Sequence, residues 1–385
     1  MTSSIKKMVI SSHVRGTGPS SFLEDYAKIN FYKLLSIEHP LILEDSNVSS
    51  YRLYREGQLL KEHQRKLLQN KILARVQQLH LTLFWSMKEI GRVNLFIGVN
   101  TFNCTAGLIL RFFSLNKRVI FYSIDWSPKR FKNKILNGLF HTLDRSSALL
   151  ADESWNVSKE IISERWNLKY LFLLKNYALK KSIVLPIGLS NHFRIKELPQ
   201  RHKHRLVFLG HLIEKQGLQL VIEALPEVLK IFPDTELNII GSGPFSGYLE
   251  KLTLNLGISS SVNFLGYVEE SKLPSVLTSS SIGIATYLNL NDSFTKFADP
   301  GKLKNYLASG LSILLTDVPP NAQELEMLGF AVIVKDNTEA VKKGLVQMLS
   351  EPHDEGESRR LQELEFVSLM FWDKIFNAAL SKYVN

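Results

Sequence analysis

The stretch Arg205-Leu206-Val207-Phe208-Leu209-Gly210-His211-Leu212-Ile213-Glu214-Lys215-Gln216-Gly217 decides the fold. A β-rich run enters a turn bounded by two glycines, and a helix-length amphipathic segment, Leu218–Phe232, follows at once. The unit then recurs. Glu236–Ile240 precedes Tyr248–Leu256, Val262–Leu265 precedes Lys272–Ser279, and Ile282–Thr286 precedes Lys302–Ser309. Ser312–Thr316 leads into Ala322–Leu328, and Ala331–Val334 closes the series. Strands that alternate with helices imply a parallel sheet covered by helices on both faces. Gly310 and Gly329 stand where left-handed C-terminal caps would end two of these helices.

Upstream the theme is less regular. Lys7–Ser11 reads as a strand ending in the turn Gly16-Thr17-Gly18-Pro19, before a helix from Ser21 to Leu35. Asn94–Val99, Arg118–Ser123, Ala148–Ala151 and Ser182–Pro186 read as further strands. Leu68, Ile72, Val76, Leu79, Leu83, Met87 and Ile90 recur at steps of four and three, which marks a long basic helix with an apolar stripe. The fold class expected is α/β, with two doubly wound parallel-sheet domains, since 385 residues suit two domains. The expected boundaries are a first domain over 1–189, a polar linker over 190–204 and a second domain over 205–365. An amphipathic helix over 366–385 either completes the second domain or crosses back to the first.

Composition narrows the function classes. A 45% hydrophobic and 22% charged chain is globular rather than disordered. The single cysteine, Cys104, makes neither an internal disulfide nor a thiolate metal site, which fits a reducing, cytoplasmic compartment. No window of about 18 uncharged apolar residues is present to span a bilayer. The apolar run Met8–Ile10 is short for a signal peptide. The net charge of +10 points to an acidic partner: nucleic acid, an anionic membrane surface or a phosphorylated small molecule.

Ligands of open parallel sheets bind at the carboxyl ends of strands. Four loops there stand out: Gly16–Gly18, Gly210–Gly217, Gly241–Pro244 and Asp299–Lys304. Glycine lets backbone N–H groups approach a ligand, and a helix start suits phosphate. Lys215, Lys302 and Lys304 lie near helix starts, where a cation opposes the helix dipole unless an anion is bound. Asp299, just before Pro300, reads as an N-cap. Asp125 follows a β-run beside Trp126, a pairing that suits a sugar, with the ring stacked on its face and the carboxylate on its hydroxyls. The alternative is a turn aspartate beside a packed tryptophan. His13, next to the glycine turn, reads as structural. No Cys or His spacing fits zinc, no G-x-S-x-G elbow or Walker motif occurs, and Gly16-Thr17-Gly18 lacks the third glycine of a dinucleotide fingerprint.

Taken together, the second half resembles the GT-B glycosyltransferases, specifically the retaining family 4 type. The stretches that carry the resemblance are Gly210–Gly217 with Leu220–Leu225, Ile239–Pro244, Val262–Tyr267 and Asp299–Leu311, in that order and spacing. The first half matches more loosely, through Gly16–Gly18, Leu185–Gly188 and Trp372. The resemblance implies two Rossmann-like domains facing a cleft. A UDP- or GDP-linked sugar would sit mainly on the second domain and a glycan or lipid-linked glycan mainly on the first. It implies transfer with retention, no obligatory metal, and polysaccharide biosynthesis as the setting. Asp125, Lys215 and Lys302 are the implied catalytic groups. Gly16, Gly18, Gly210, His211, Gly241, Gly243, Phe264, Leu265, Asp299 and Asn305 would line the donor.

Two departures from the family pattern are visible. His211 and Gln216 occupy the places of its usual Arg and Lys, and Phe297 and Asn305 those of its paired glutamates. These substitutions keep a non-catalytic scaffold subunit as an alternative, beside a sugar-nucleotide epimerase of the same fold. A specific nucleic-acid partner is not expected, since no recognition motif occurs. Arg111–Lys134 carries seven Lys/Arg against Asp125 alone, with Phe112, Phe113, Trp126 and Phe131 interleaved. Such a face suits peripheral contact with the inner face of an anionic membrane; the alternative is a solvated basic surface around core aromatics.

Overall fold

A computed structural model describes residues 6–14, 18–41, 46–168, 172–195, 199–290, 294–351 and 353–384. The chain forms two compact units, Met1–Pro186 with Trp372–Asn385, and Ile187–Phe371.

The first unit runs β1 (Lys7–Val14), α1 (Pro19–Asn30), β2 (Lys33–Pro40), β3 (Val48–Arg55), β4 (Gln58–Lys66), α2 (Lys71–Trp85), β5 (Val93–Val99), α3 (Thr101–Phe112), β6 (Asn116–Ser123), α4 (Lys134–Leu150), β7 (Glu153–Asn156), α5 (Lys159–Arg165), α6 (Phe172–Leu179) and β8 (Ser182–Val184). Its sheet has the order β4-β3-β2-β1-β5-β6-β7-β8. All neighbours are parallel except β2–β3 and β3–β4, which pair antiparallel.

Three sequence expectations are corrected here. The helix expected to reach Leu35 stops at Asn30, and Lys33–Pro40 is a central strand instead. The strand expected at Ala148–Ala151 is the end of α4, capped at its start by Asn133, whose side chain accepts from Ile135 and Leu136 N–H. The apolar stripe over 68–90 is buried only in part. Leu68, Ile72 and Val76 are exposed, while Ala74, Gln78, Leu81, Thr82 and Trp85 are buried. Gln78 and Thr82 face inward because they satisfy buried imidazoles, Gln78 at His13 and Thr82 at His39. Leu79 and Leu83 pack against the same core and Ile90 is buried, so hydropathy located part of the buried face and missed its polar members.

The second unit runs β9 (Arg205–Leu209), α7 (Leu218–Ile231), β10 (Glu236–Ile240), α8 (Ser246–Asn255), β11 (Val262–Gly266), α9 (Leu273–Thr278), β12 (Ile282–Ala285), α10 (Gly301–Ala308), β13 (Ser312–Thr316), α11 (Ala322–Met327), β14 (Ala331–Val334), α12 (Thr338–Leu349) and α13 (His353–Val367). The sheet is wholly parallel, in the order β11-β10-β9-β12-β13-β14. Alternate strand residues enter two separate cores, as the twofold period of a strand requires. Leu206, Phe208, Ile284 and Leu314 pack with α7, α8 and α12. Val207, Ala285, Ile313 and Leu315 pack with α9, α10 and α11. Both faces are covered, so the unit is doubly wound.

The residues read as a linker begin inside this unit. Leu189 N–H donates to Met370 O at 2.8 Å, and Phe193 is buried in the same core as α10. After Phe371 the chain enters α14 (Trp372–Val384) of the first unit. There Trp372 stacks on Phe22 at 5.4 Å between ring centres, and Tyr26 meets Phe376 at 5.9 Å.

Candidate donor and acceptor sites

In the second unit the strand order reverses between β9 and β12, and such a switch point leaves a crevice at the carboxyl ends of the strands. The backbones of its loops lie against one another. A Cβ on Gly241 would fall 1.9 Å from Gly210 O, and one on Gly217 would fall 1.7 Å from Thr286 O. Both positions also have positive φ, so glycine is required there twice over. Two of the glycine N–H groups are already engaged, however. Gly210 N–H is taken by Ile240 O at 3.0 Å and Gly241 N–H by Gly266 O at 2.7 Å. They join the loops, and side chains supply further groups to meet a ligand.

Lys302 is foremost among these. It is the second residue of α10, and its ammonium lies across the switch point. It donates to Gln216 Oε1 at 2.7 Å and sits over the rings of Phe208 and Tyr287 at 4.1 and 4.9 Å. A Cβ on Gly210 would lie 3.3 Å from its Nζ. Among the described residues no carboxylate pairs with it. Burial pushes its pKa down from 10.5 to about 7. A half-buried cation at a helix start, held by an amide and two rings, is stabilised by an arriving anion.

The other expected donor residues divide. Asn305 lies one turn beyond Lys302 on α10, half-buried, with its side-chain amide unengaged among the described residues. Lys215, in a 3-10 turn at Glu214–Gln216, holds its ammonium 5.4 Å from the Phe294 ring centre. His211 Nδ1 bonds Ser242 O at 2.7 Å, tying the first loop to the second. Gly243 approaches Leu212 O so closely that a Cβ would lie 2.2 Å away. Phe264 pairs with Ile239 and Gly266 with Ile240, so Leu265 is the extra residue of a register shift and is exposed at the sheet's end.

Asp299 departs from expectation. Pro300, not Asp299, occupies the N-cap, and the Asp299 carboxylate accepts from Ile187 N–H at 2.7 Å and pairs with Lys304. Lys304 also donates to Ile187 O. The pair is buried, and both residues anchor Ile187 to α10. Gly18 is likewise engaged within its own turn. Its N–H is taken by Ser21 Oγ at 3.0 Å and its φ of −173° is ordinary extended backbone. Gly16 lies outside the described residues.

In the first unit, Asp125 pairs with Arg130 at 2.6 Å and keeps 37% of its side chain exposed. Trp126 does not lie open beside it. Its ring is buried, and its Nε1–H donates to Asp144 Oδ2 at 3.1 Å. Asp144 in turn pairs with the fully buried Arg165 at 2.7 Å, whose guanidinium also reaches Asn156 and Ser123. The tryptophan therefore braces the loop that carries Asp125. His13 ends β1 with both ring nitrogens engaged, Nδ1 by Asn103 at 2.8 Å and Nε2 by Gln78 at 3.1 Å. Burial and then Arg75 hold it at about 4, so it stays neutral. Among the described residues, no cluster of three or more His, Cys, Asp or Glu is placed to hold a metal ion.

Sequence reasoning missed Gln216, Tyr287 and Arg130. Gln216 had registered only as a departure from the family lysine, although it stands beside Lys215 in the same turn.

Residues 191–363 match the family Glycosyl transferases group 1. A curated relative, the GDP-mannose-dependent alpha-(1-6)-phosphatidylinositol monomannoside mannosyltransferase of Mycolicibacterium smegmatis, is 35% identical over 69 residues, 18% of each chain. The chain thus spans less than a fifth of that relative's length. Among solved structures, a glycosyltransferase from Rickettsia africae superposes with a TM-score of 0.72 at 11% identity, covering 99% of this chain and 98% of that one. Alr3699/HepE of Anabaena, in complex with UDP, superposes with a TM-score of 0.70 at 12% identity, covering 98% and 99%. At such identities the likeness is one of fold. The chain has the fold of the GT-B glycosyltransferases, and residues 191–363 of its second unit are similar to the glycosyl transferases group 1 family.

Proposed function

We propose that this chain is a retaining glycosyltransferase that moves a hexose from a UDP- or GDP-linked donor to a glycan or lipid-linked glycan. The Lys302 ammonium carries the reading, because it is half-buried, without a carboxylate among the described residues, and set at the switch point beside Gly210. As the glycosidic C–O bond breaks, negative charge gathers on the leaving diphosphate. A preorganised ammonium there stabilises the transition state more than the ground state. Lys215 adds a second cation from the neighbouring turn, and Asn305 offers a neutral amide to a ribose hydroxyl. A relative named for GDP-mannose and a neighbour bound to UDP support this donor class. Thermal stabilisation across a panel of nucleotide-sugars, followed by NMR of the product's anomeric centre, tests donor and stereochemistry together. Stabilisation by none of the panel would overturn the reading.

On the acceptor side, Asp125, held by Arg130, is the group to orient an acceptor hydroxyl. The basic surface favours a lipid-linked acceptor, over a narrower region than Arg111–Lys134. Arg111 and Arg118 are both paired with Asp152. Lys129, Lys132 and Lys134 remain exposed, beside Phe131 and the α4 residues Ile135, Leu136 and Leu139. Ile135 is 82% exposed. Apolar side chains flanked by lysines suit the headgroup region of an anionic leaflet. No described helix is long and apolar enough to cross a membrane, so the contact proposed is peripheral, on the cytoplasmic face. Failure to sediment with anionic vesicles at low salt would remove it. The neutral Asn305 favours the non-catalytic scaffold as second reading, which predicts donor binding without turnover.

A further inference from the structure

We propose that Gln216 is a positioning residue of the donor site, its side-chain carbonyl aiming the Lys302 ammonium and its –NH2 facing the same phosphates. The inference rests on the donor reading above. An ammonium only donates, so the oxygen of Gln216 must face Nζ, at 2.7 Å, and its two N–H bonds are turned away. Those N–H groups have no partner among the described residues.

The backbone beneath Gln216 is fixed. Its own N–H donates to Ile213 O at 3.0 Å, and the next residue, Gly217, is held in left-handed conformation by Thr286, whose Oγ1 donates to Gly217 O at 3.0 Å. The side chain thus leaves a rigid turn toward a rigid helix start. Nζ also sits over the Phe208 ring from β9 and the Tyr287 ring beyond β12, with Gly210 close by. The charged groups nearby face elsewhere. Asp299 and Lys304 pair with each other on Ile187, and Lys215 faces Phe294. Tyr306 is engaged with Leu209 N–H and Ile284 O, and Glu214 is exposed.

A neutral amide orients the ammonium without cancelling its charge. A carboxylate in the same place would neutralise it and repel a diphosphate. An apolar residue would leave it unaimed and easier to deprotonate, because a hydrogen bond to the charged form favours that form.

Calorimetric titration with UDP and with GDP, from pH 7 to 9, tests this in the wild type, Lys302→Met, Gln216→Met and Gln216→Glu. Over that range the diphosphate's own ionisation is essentially complete, its second pKa lying near ~6. Both Gln216 variants should bind about tenfold more weakly at pH 7.5, the scale of one hydrogen bond to a charged group. Their pH dependences should then part in opposite directions. The loss of affinity with rising pH should begin earlier than wild type in Gln216→Met and later in Gln216→Glu. A structural role alone would not move the two apart. If Lys302→Met weakens binding while both Gln216 variants match the wild type in affinity and pH dependence, this proposal falls and the donor reading stands. If wild type binds neither nucleotide, or Lys302→Met binds as wild type, the donor reading falls and takes this inference with it.

Discussion

Lys302→Met should make the protein more stable and less able to bind its donor. In the unfolded chain Lys302 titrates near the free-lysine value, whereas in the folded protein burial lowers it from 10.5 to about 7. The unfolded state therefore binds the extra proton between those values, and the charge opposes folding most at and below pH 7. At ~1.4 kcal/mol per tenfold change in proton affinity, the ceiling on this penalty at pH 7 is ~4 kcal/mol. Methionine keeps the contact with the Phe208 and Tyr287 rings while losing the cation–π attraction, which is worth ~0.5–2 kcal/mol. A net gain of ~1–3 kcal/mol remains, or about 2–10 °C in the melting of a unit of this size. The gain should fade as pH rises from 7 toward 10, since the unfolded wild type then loses the proton that it alone retains. Ligand reverses the ranking. UDP or GDP at a hundredfold excess over its Kd should raise wild-type stability by ~2.7 kcal/mol and leave Lys302→Met nearly unmoved. Differential scanning fluorimetry at pH 7 and pH 9, with and without nucleotide, reads all four quantities. A variant that melts below wild type without ligand, yet gains as much from nucleotide, would refute the reasoning.

Three further outcomes follow from the same contacts. Lys304→Met, two residues along α10, should destabilise by ~3–5 kcal/mol because it strands the buried Asp299 carboxylate, and the sign of its melting shift should be opposite to that of Lys302→Met. Gly241→Ala should fail to fold or melt far below wild type, since its Cβ would meet Gly210 O at 1.9 Å, whereas Gly247→Ala, with open space around it, should not; urea titration separates them. Asp125→Asn should raise the acceptor KM while leaving donor binding at its wild-type value, and unchanged acceptor kinetics would remove Asp125 from the acceptor site.

The second unit was legible because each strand is a short apolar run and each crossover is marked by glycine or proline. Arg205–Leu209, Glu236–Ile240 and Ser312–Thr316 coincide with β9, β10 and β13. The first unit was less so. Its β3–β4 hairpin consists of VSSYRLYR and QLLKEHQRK, and β4 is exposed at every position, so no hydrophobic alternation announces it. On α2, burial of polar Gln78 and Thr82 beside Leu79 and Leu83 hid part of the inward face. The site showed the same division. Lys302 was visible from its place after Pro300. The contacts of Asp299 and Lys304 with Ile187, and the bond that Lys302 donates to Gln216, join residues far apart in the chain. Spacing along a sequence carries no trace of such contacts.

The most direct test of the account is a crystal structure of the wild-type protein soaked in UDP or GDP. The expected result is a diphosphate oxygen within ~3 Å of Lys302 Nζ, the distance of a charge-assisted hydrogen bond, with Gln216 still held against the ammonium. A nucleotide bound elsewhere, with Lys302 still resting only on Gln216 and its two rings, would contradict it.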